Sequence, residues 1–297
     1  MLFPEEVTTF LAIARQGNLQ KAARAVHASQ STVSYRLQAL EQRVGQPLVQ
    51  RGRGVRQIAL TPAGERFLGI AEQWEHLARE AERIPGRTQT ALAVGAAHAL
   101  NLYLLGPLYT WLGGRTPRPS LRIESAGGPA LCDRVALRRL DAAFVFFDRA
   151  HAELAVDPVA TSPMVVVRAP GAEAAPSQVD TADLPAGGEI TMSWGPDFEL
   201  WRSRNLTDEP LATVETAQSL VPFLVLGDTW SVVPEFAAAH LVAQTGCRVQ
   251  RLASPPPDRT IHLVTNRRAT SAAADALALL RTGLAAVAAD LPVHPVR

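Results

Sequence analysis

Residues 18–44 read NLQKAARAVHASQSTVSYRLQALEQRV, and their spacing decides the fold of the amino-terminal end. Apolar side chains recur with helical period: Leu19, Ala22, Ala23 and Val26, then Val33, Leu37, Leu40 and Val44. Two short helices joined by a tight turn follow, with Ser29 placed to cap the second. Gln30, Ser31, Thr32, Ser34, Tyr35, Arg36 and Gln38 are left on the outer face of that second helix. They are hydrogen-bonding side chains, short at the helix start and free of acids, which suits a helix that enters a major groove. The pattern is that of a helix-turn-helix.

The flanks extend the motif. Val7, Phe10, Leu11 and Ala14 predict a further helix packed across the pair. Downstream, Gly52 and Gly54 punctuate a loop crowded with Arg51, Arg53 and Arg56, and Val55–Leu60 favours extended chain. A basic loop between short strands would make a wing, its arginines directed at phosphates or the minor groove. Through Pro62 there are eight basic residues against three acidic ones, a net +5, whereas the whole chain carries +1. The remainder is therefore net acidic, and the asymmetry assigns nucleic acid to the amino-terminal end. Thr61-Pro62 then supplies a cap and a proline suited to a first helical turn. Phe67, Ile70, Trp74, Leu77, Ala81 and Ile84 alternate three- and four-residue steps, a heptad seam that Gly86 closes. Such a helix spans roughly 35 Å, close to the ~34 Å between major-groove half-sites one turn apart. It reads as a linker that pairs two subunits.

At this point the stretches FLAIARQGNLQKAARAVHASQSTVSYRLQALEQRVGQPLVQR and LTPAGERF resemble the winged helix-turn-helix and linker helix of LysR-type transcriptional regulators. The resemblance implies that Gln30, Thr32, Ser34, Tyr35 and Arg36 meet bases or phosphates, and that Arg51 and Arg53 serve the wing. Ser31 stands where proline is frequent in the family, and Tyr35 where a basic residue is. Val49-Gln50 replaces the aromatic that commonly precedes the wing arginine. These departures bear on the operator sequence rather than on the fold.

After residue 86 the chain alternates strands with helices: strand 91–97, helix 102–112, strand 120–125, helix 130–140, strand 142–147. Beyond the Pro/Ala/Gly-rich stretch 169–176 come 190–194, a helix at 198–205, 212–216, a helix at 217–226 and strand 231–233. Strand 260–265 and helix 271–289 finish the chain. Strand–helix alternation predicts parallel, doubly wound sheet. The series resembles the two-lobed, periplasmic-binding-protein-like α/β effector domain of the LysR family, with Gly227 and Pro234 at the family's spacing and Thr229 and Trp230 departing from it. The expected domains are a winged helix-turn-helix over 1–60, a linker and dimerisation helix over 61–86, and an effector domain over 87–297. Within the last, lobe I takes about 90–162 and 266–297, and lobe II about 163–265.

Ligands of such sheets bind beyond the carboxyl ends of strands and beside helix N-termini. That geometry nominates Asn101, Ser193, Trp194 and Thr216 first, with His98, Gly127, Phe147 and Trp230 around them; hydroxyls and amides would hold a small acid while Trp194 gives a stacking wall. The head of the first helix, His-Ala-Leu-Asn, lacks the hydroxyls often found there in family members.

Chemistry is sparse elsewhere. No dinucleotide fingerprint, phosphate-binding Gly-Lys-Ser/Thr or nucleophile elbow occurs, and the seven histidines lack metal-ligand spacing. No catalytic residue, metal or cofactor is expected. Cys132 and Cys247 read as small apolar fillers in different lobes, unlike the close cysteine pair of the family's peroxide sensors. No secretory signal or bilayer-length apolar run is present, so a soluble, cytoplasmic chain with no membrane partner is expected. The expected partners are double-stranded operator DNA, a small-molecule effector and RNA polymerase, with the chain a homodimer or homotetramer. An alternative is an α/β solute-binding or enzymatic protein carrying an amino-terminal interaction domain.

Overall fold

The computed structural model describes residues 4–50, 58–83, 90–146, 152–170, 176–268 and 271–296. The chain divides into two units, one of Met1–Arg87 with Leu137–Arg139 and a larger one of Thr88–Ala136 with Leu140–Arg297, each with its own core.

In the first unit, α1 (Pro4–Gln16) lies across α2 (Leu19–Ala25) and α3 (Gln30–Val44). Phe10, Leu11, Ala22, Val33, Leu37, Leu40 and Leu48 fill its centre, so the apolar positions quoted above do face one another. Asn18 caps α2 by accepting from Gln20 and Lys21 amides at 2.8 and 3.1 Å. His27 takes a left-handed φ of 51° in the turn between α2 and α3, and Gly45 (φ 77°) ends α3. The base of the expected wing is formed: Val49 and Leu60 make an antiparallel bridge, and the Gln50 amide donates to Ala59 O at 2.9 Å. The buried Glu41 carboxylate fastens this base to α3 by accepting from the Leu48 and Val49 amides at 2.8 and 3.3 Å. Helix α4 (Pro62–Arg83) starts at the proline, with Thr61 Oγ1 accepting from the Gly64 amide at 3.0 Å. A Cβ at Gly64 would lie 2.0 Å from Leu48 O, so only glycine permits this approach of helix to strand.

The second unit holds two lobes. Its six-stranded sheet runs β12–β4–β11–β3–β1–β2, from β1 (Ala91–Ala96), β2 (Ser120–Ser125), β3 (Ala142–Val145), β4 (Leu154–Ser162), β11 (Arg259–Asn266) and β12 (His294–Pro295). Helices α5 (His98–Tyr103), α6 (Gly106–Gly113), α7 (Gly128–Ala136) and α10 (Ser271–Val287) accompany this sheet. The second lobe carries the sheet β6–β10–β5–β9, from β5 (Met164–Arg168), β6 (Gln178–Val179), β9 (Trp230–Pro234) and β10 (Arg248–Leu252). Beside it lies the parallel pair β7 (Ile190–Met192) and β8 (Ala212–Val214), attached by a Glu189–Trp230 bridge. Helices α8 (Pro196–Asn205) and α9 (Glu235–Thr245) complete the lobe.

Four expectations are corrected here. The sheets are mixed rather than parallel: β1, β2 and β3 run parallel, whereas β11 is antiparallel to β3 and β4, and β5 to β9 and β10. Strand β11, expected in lobe II, inserts between β3 and β4 of the first sheet, because the chain returns across the lobes before Arg259 rather than after it. The helix expected over 102–112 is two short helices, broken before Gly106-Pro107, with α5 beginning as early as His98. That expected over 217–226 shrinks to a 3-10 turn, Ala217–Leu220. Strands β4 and β5, which no expectation covered, carry the chain from one lobe to the other through Pro163.

Candidate DNA interface and effector cleft

Ser29 Oγ accepts from the Thr32 amide at 3.1 Å and shares 2.7 Å hydrogen bonds with the Ser31 and Thr32 hydroxyls. These hydroxyls crowd the positive end of the α3 dipole, and its first turn holds no acid. Ser29, Gln30, Ser31, Ser34 and Tyr35 are exposed, while Thr32 and Arg36 are half-buried. Tyr35 is 73% exposed and offers a ring and a hydroxyl on the outer face of α3, clear of its own core. Arg36 lies 3.9 Å from Glu5 at the start of α1, a contact too long and too solvated to hold it firmly. Lys21 and Arg24 on α2 are also exposed. The structure thus brings together every α3 residue expected to touch DNA. Arg51, Arg53 and Arg56 lie outside the described residues; of the expected wing the described residues show the isolated Val49–Leu60 bridge at its base.

The seam of α4 divides. Phe67, expected at a subunit interface, is buried instead in its own unit, edge-on to Phe10 with ring centres 5.2 Å apart. Trp74 is half-buried against the same core. Ile70 and Leu77 remain 56% and 52% exposed. The helical stripe is wide enough to serve two surfaces, and its amino-terminal residues are taken by the winged helix first. The side chain of Ala81, and Ile84, lie outside the described residues. Arg15 on α1 clamps Glu75 on α4 through two hydrogen bonds of 3.1 and 2.6 Å, which holds the helix to the motif.

The effector residues are corrected more heavily. Trp194 is 2% exposed; its indole N–H donates to Val232 O at 2.9 Å and its ring packs edge-on against Phe146. Trp230 is likewise buried, donating to Pro185 O at 2.9 Å. Neither offers a face to a ligand. An indole needs one acceptor when buried, and both find a backbone carbonyl. Asn101 donates to Glu124 O at 2.9 Å and Ser125 Oγ at 2.7 Å and accepts from the Tyr109 hydroxyl, so its amide locks α5 to the end of β2. Burial raises the pKa of that tyrosine. Ser193, His98 and Gly127 are exposed and Thr216 is half-buried, sharing a 2.9 Å hydrogen bond with Ser219. Phe147 lies outside the described residues.

Two residues that the sequence reading overlooked stand out. Phe146, at the end of β3, stacks on Phe236 of α9 and meets Trp194, so it joins the two lobes. Arg259, at the start of β11, places its guanidinium 5.0 Å above the Phe146 ring. Only the Pro-rich stretch before Arg259 could have hinted at a chain crossing there; nothing local shows the side chain folding inward. Cys132 and Cys247 are buried in different lobes, and burial pushes the Cys247 thiol up. Among the described residues no cluster of three or more His, Cys, Asp or Glu could hold a metal, and no helix is long and apolar enough to cross a membrane.

Comparison with known proteins assigns both halves. Residues 4–65 match the model of the bacterial regulatory helix-turn-helix protein, lysR family, and residues 85–285 match the LysR substrate binding domain. The chain belongs to the LysR family. It is accordingly a DNA-binding transcription regulator with an effector-binding domain, and the solute-binding or enzymatic alternative recedes because one family accounts for both halves. A LysR-family relative, the HTH-type regulator protein PtxE of Stutzerimonas stutzeri, is 32% identical over 64% of this chain and 97% of its own length. HdfR of Yersinia enterocolitica is 29% identical over 72% of this chain and 74% of its own. Among solved structures, the LysR regulator CbnR aligns with a TM-score of 0.70 at 20% identity, covering 94% of this chain and 98% of that one. Full-length OxyR of Pseudomonas aeruginosa aligns at 0.68 and 24%, covering 96% and 95%.

Proposed function

We propose that α3 reads operator DNA through Gln30, Ser31, Thr32, Ser34, Tyr35 and Arg36, with Ser29 holding its first turn and Arg51, Arg53 and Arg56 neutralising phosphates from the wing. The observation that carries this reading is the exposed, acid-free hydroxyl edge of α3, capped and facing away from its own core. CbnR has been solved with its target DNA and shares this fold, which supports the docking. The unit pairs with a second copy through the exposed part of α4, as a homodimer or a homotetramer. A small molecule held between the lobes of the second unit shifts their relation and thereby alters DNA geometry or contact with RNA polymerase. Its role is binding rather than turnover, and it acts in the cytoplasm.

An anisotropy titration of the full chain with a duplex from the region upstream of its own gene tests this. Specific binding should weaken with salt at a slope of about −0.9 per phosphate contacted. Binding that ignores salt, or that does not distinguish this duplex from random sequence, would overturn the reading.

A further inference from the structure

A cavity of about 160 Å³ lies inside the first lobe of the second unit, apart from the space between the lobes. Phe144, Ala160 and Ile261 line it from the six-stranded sheet, Leu104 and Leu105 from the end of α5, and Leu284 from α10. Every described residue around it is apolar. Folded interiors hold few voids larger than a water molecule, and a void without polar groups offers water nothing to bond. A space of this size and lining therefore stays dry or takes an apolar guest.

Local structure keeps the space open. Ile261 pairs with Ala160 and His262 with Pro158, so Val159 is the extra residue of a bulge in β4. Neighbours in a regular strand point to opposite faces, yet Val159 and Ala160 both line the cavity. The bulge turns them to the same side, and bulges of this kind cluster beside functional sites. Helix α10 cannot close in from across the sheet. A Cβ at Gly283 would lie 2.9 Å from Leu108 Cδ1 and Trp111 Cε3, so α10 and α6 already meet as nearly as glycine allows. Ala288 and Pro295 line the cavity and are also exposed, which marks its opening. The carboxyl-terminal segment between them is held to β4 by β12, through the pairs His294–Thr161 and Pro295–Ala160. A strand so short and terminal frays readily, which gives a guest an entrance.

We propose that this cavity is a ligand site of its own, for an uncharged apolar molecule about the size of one six-membered ring. An apolar cavity of about 150 Å³ takes up benzene. A carboxylate or ammonium buried in this lining would find no partner. The site thus differs in place and in chemistry from the one expected between the lobes. Strands β4 and β11, which line it, also carry the chain between the lobes, so a guest bears on that crossing.

The test is a fluorine NMR titration of the full chain with fluorobenzene, followed by displacement. Fluorobenzene should bind saturably and be displaced by benzene. Benzoate, the same ring bearing a charge, should compete about tenfold less well or worse. Ala160→Leu, which fills the space, should weaken fluorobenzene by about tenfold or more. Ala288→Leu, at the exposed opening, should weaken it too; this variant decides the matter should Ala160→Leu fail to fold. Absence of saturable binding, displacement by benzoate as readily as by benzene, or an affinity unchanged in the folded variants would overturn the proposal.

Discussion

Replacing Glu41 by alanine removes a carboxylate that joins the reading helix to the base of the wing. Glu41 is 8% exposed, and its Oε1 accepts from the Leu48 and Val49 amides at 2.8 and 3.3 Å. A hydrogen bond to a charged acceptor contributes about 1.5–3 kcal/mol, and a buried donor left without a partner costs about the same. The 3.3 Å bond lies at the weak end, so Glu41→Ala should destabilise this segment by roughly 2–4 kcal/mol. Glu41→Gln retains an oxygen acceptor and loses only the charge assistance, about 1 kcal/mol. Amide hydrogen exchange at Leu48 and Val49 reads the effect directly. Protection there should fall by roughly thirtyfold to a thousandfold in the alanine variant, since each 1.4 kcal/mol is tenfold. The arginine-bearing loop leaves from Gln50, so DNA affinity should fall as well although Glu41 itself touches no DNA. Unchanged protection at both amides in Glu41→Ala would refute the reasoning.

Gly64→Ala should destabilise the first unit by about 2 kcal/mol or more, because its Cβ would lie 2.0 Å from Leu48 O; urea unfolding measures this. The Tyr103 hydroxyl is buried with no hydrogen-bond partner among the described residues, so Tyr103→Phe should be neutral or slightly stabilising in the same assay. Burial also pushes the Tyr103 phenol up to about 12. The folded state thus favours the protonated form; this contribution is complete below the ordinary value near 10 and is lost as pH rises through about 12. The phenylalanine variant should therefore lose less stability across that alkaline window. Charging the exposed stripe of α4 with Ile70→Glu and Leu77→Glu should leave the fold intact and shift the oligomer to smaller species, read by light scattering; an unchanged mass would move the interface elsewhere.

The motif was readable in the sequence because its physics is local. Periodicity placed Val33, Leu37 and Leu40 inward, Ser29 capped as its side chain allows, and Thr61-Pro62 began α4. Glu41 escaped notice because a glutamate beside an apolar stripe normally stays in water, and only the chain's return past Leu48 gives it buried donors. The second unit was less legible for the same reason. Strand β4 contains Asp157-Pro158, which argues against a regular strand, yet Pro158 sits where the register with β11 shifts, a place that tolerates it. Strand β11 pairs with segments about a hundred residues earlier, and no local pattern records that. Trp194 was expected to face ligand because it follows a strand, but the Val232 carbonyl satisfies its indole and burial then favours the core. The charged residue that does face the lobe junction, Arg259, opens its strand and has no motif of its own.

The central claim, that the outer edge of α3 reads base sequence, is tested most directly by selecting preferred sites from a pool of randomised duplexes. The wild type, Tyr35→Ala, Arg36→Ala and Arg51→Ala should be compared at one salt concentration. The account predicts that the two α3 variants select altered bases, whereas the wing variant selects the wild-type sequence with uniformly weaker affinity. Identical selected sequences from all four proteins would contradict it.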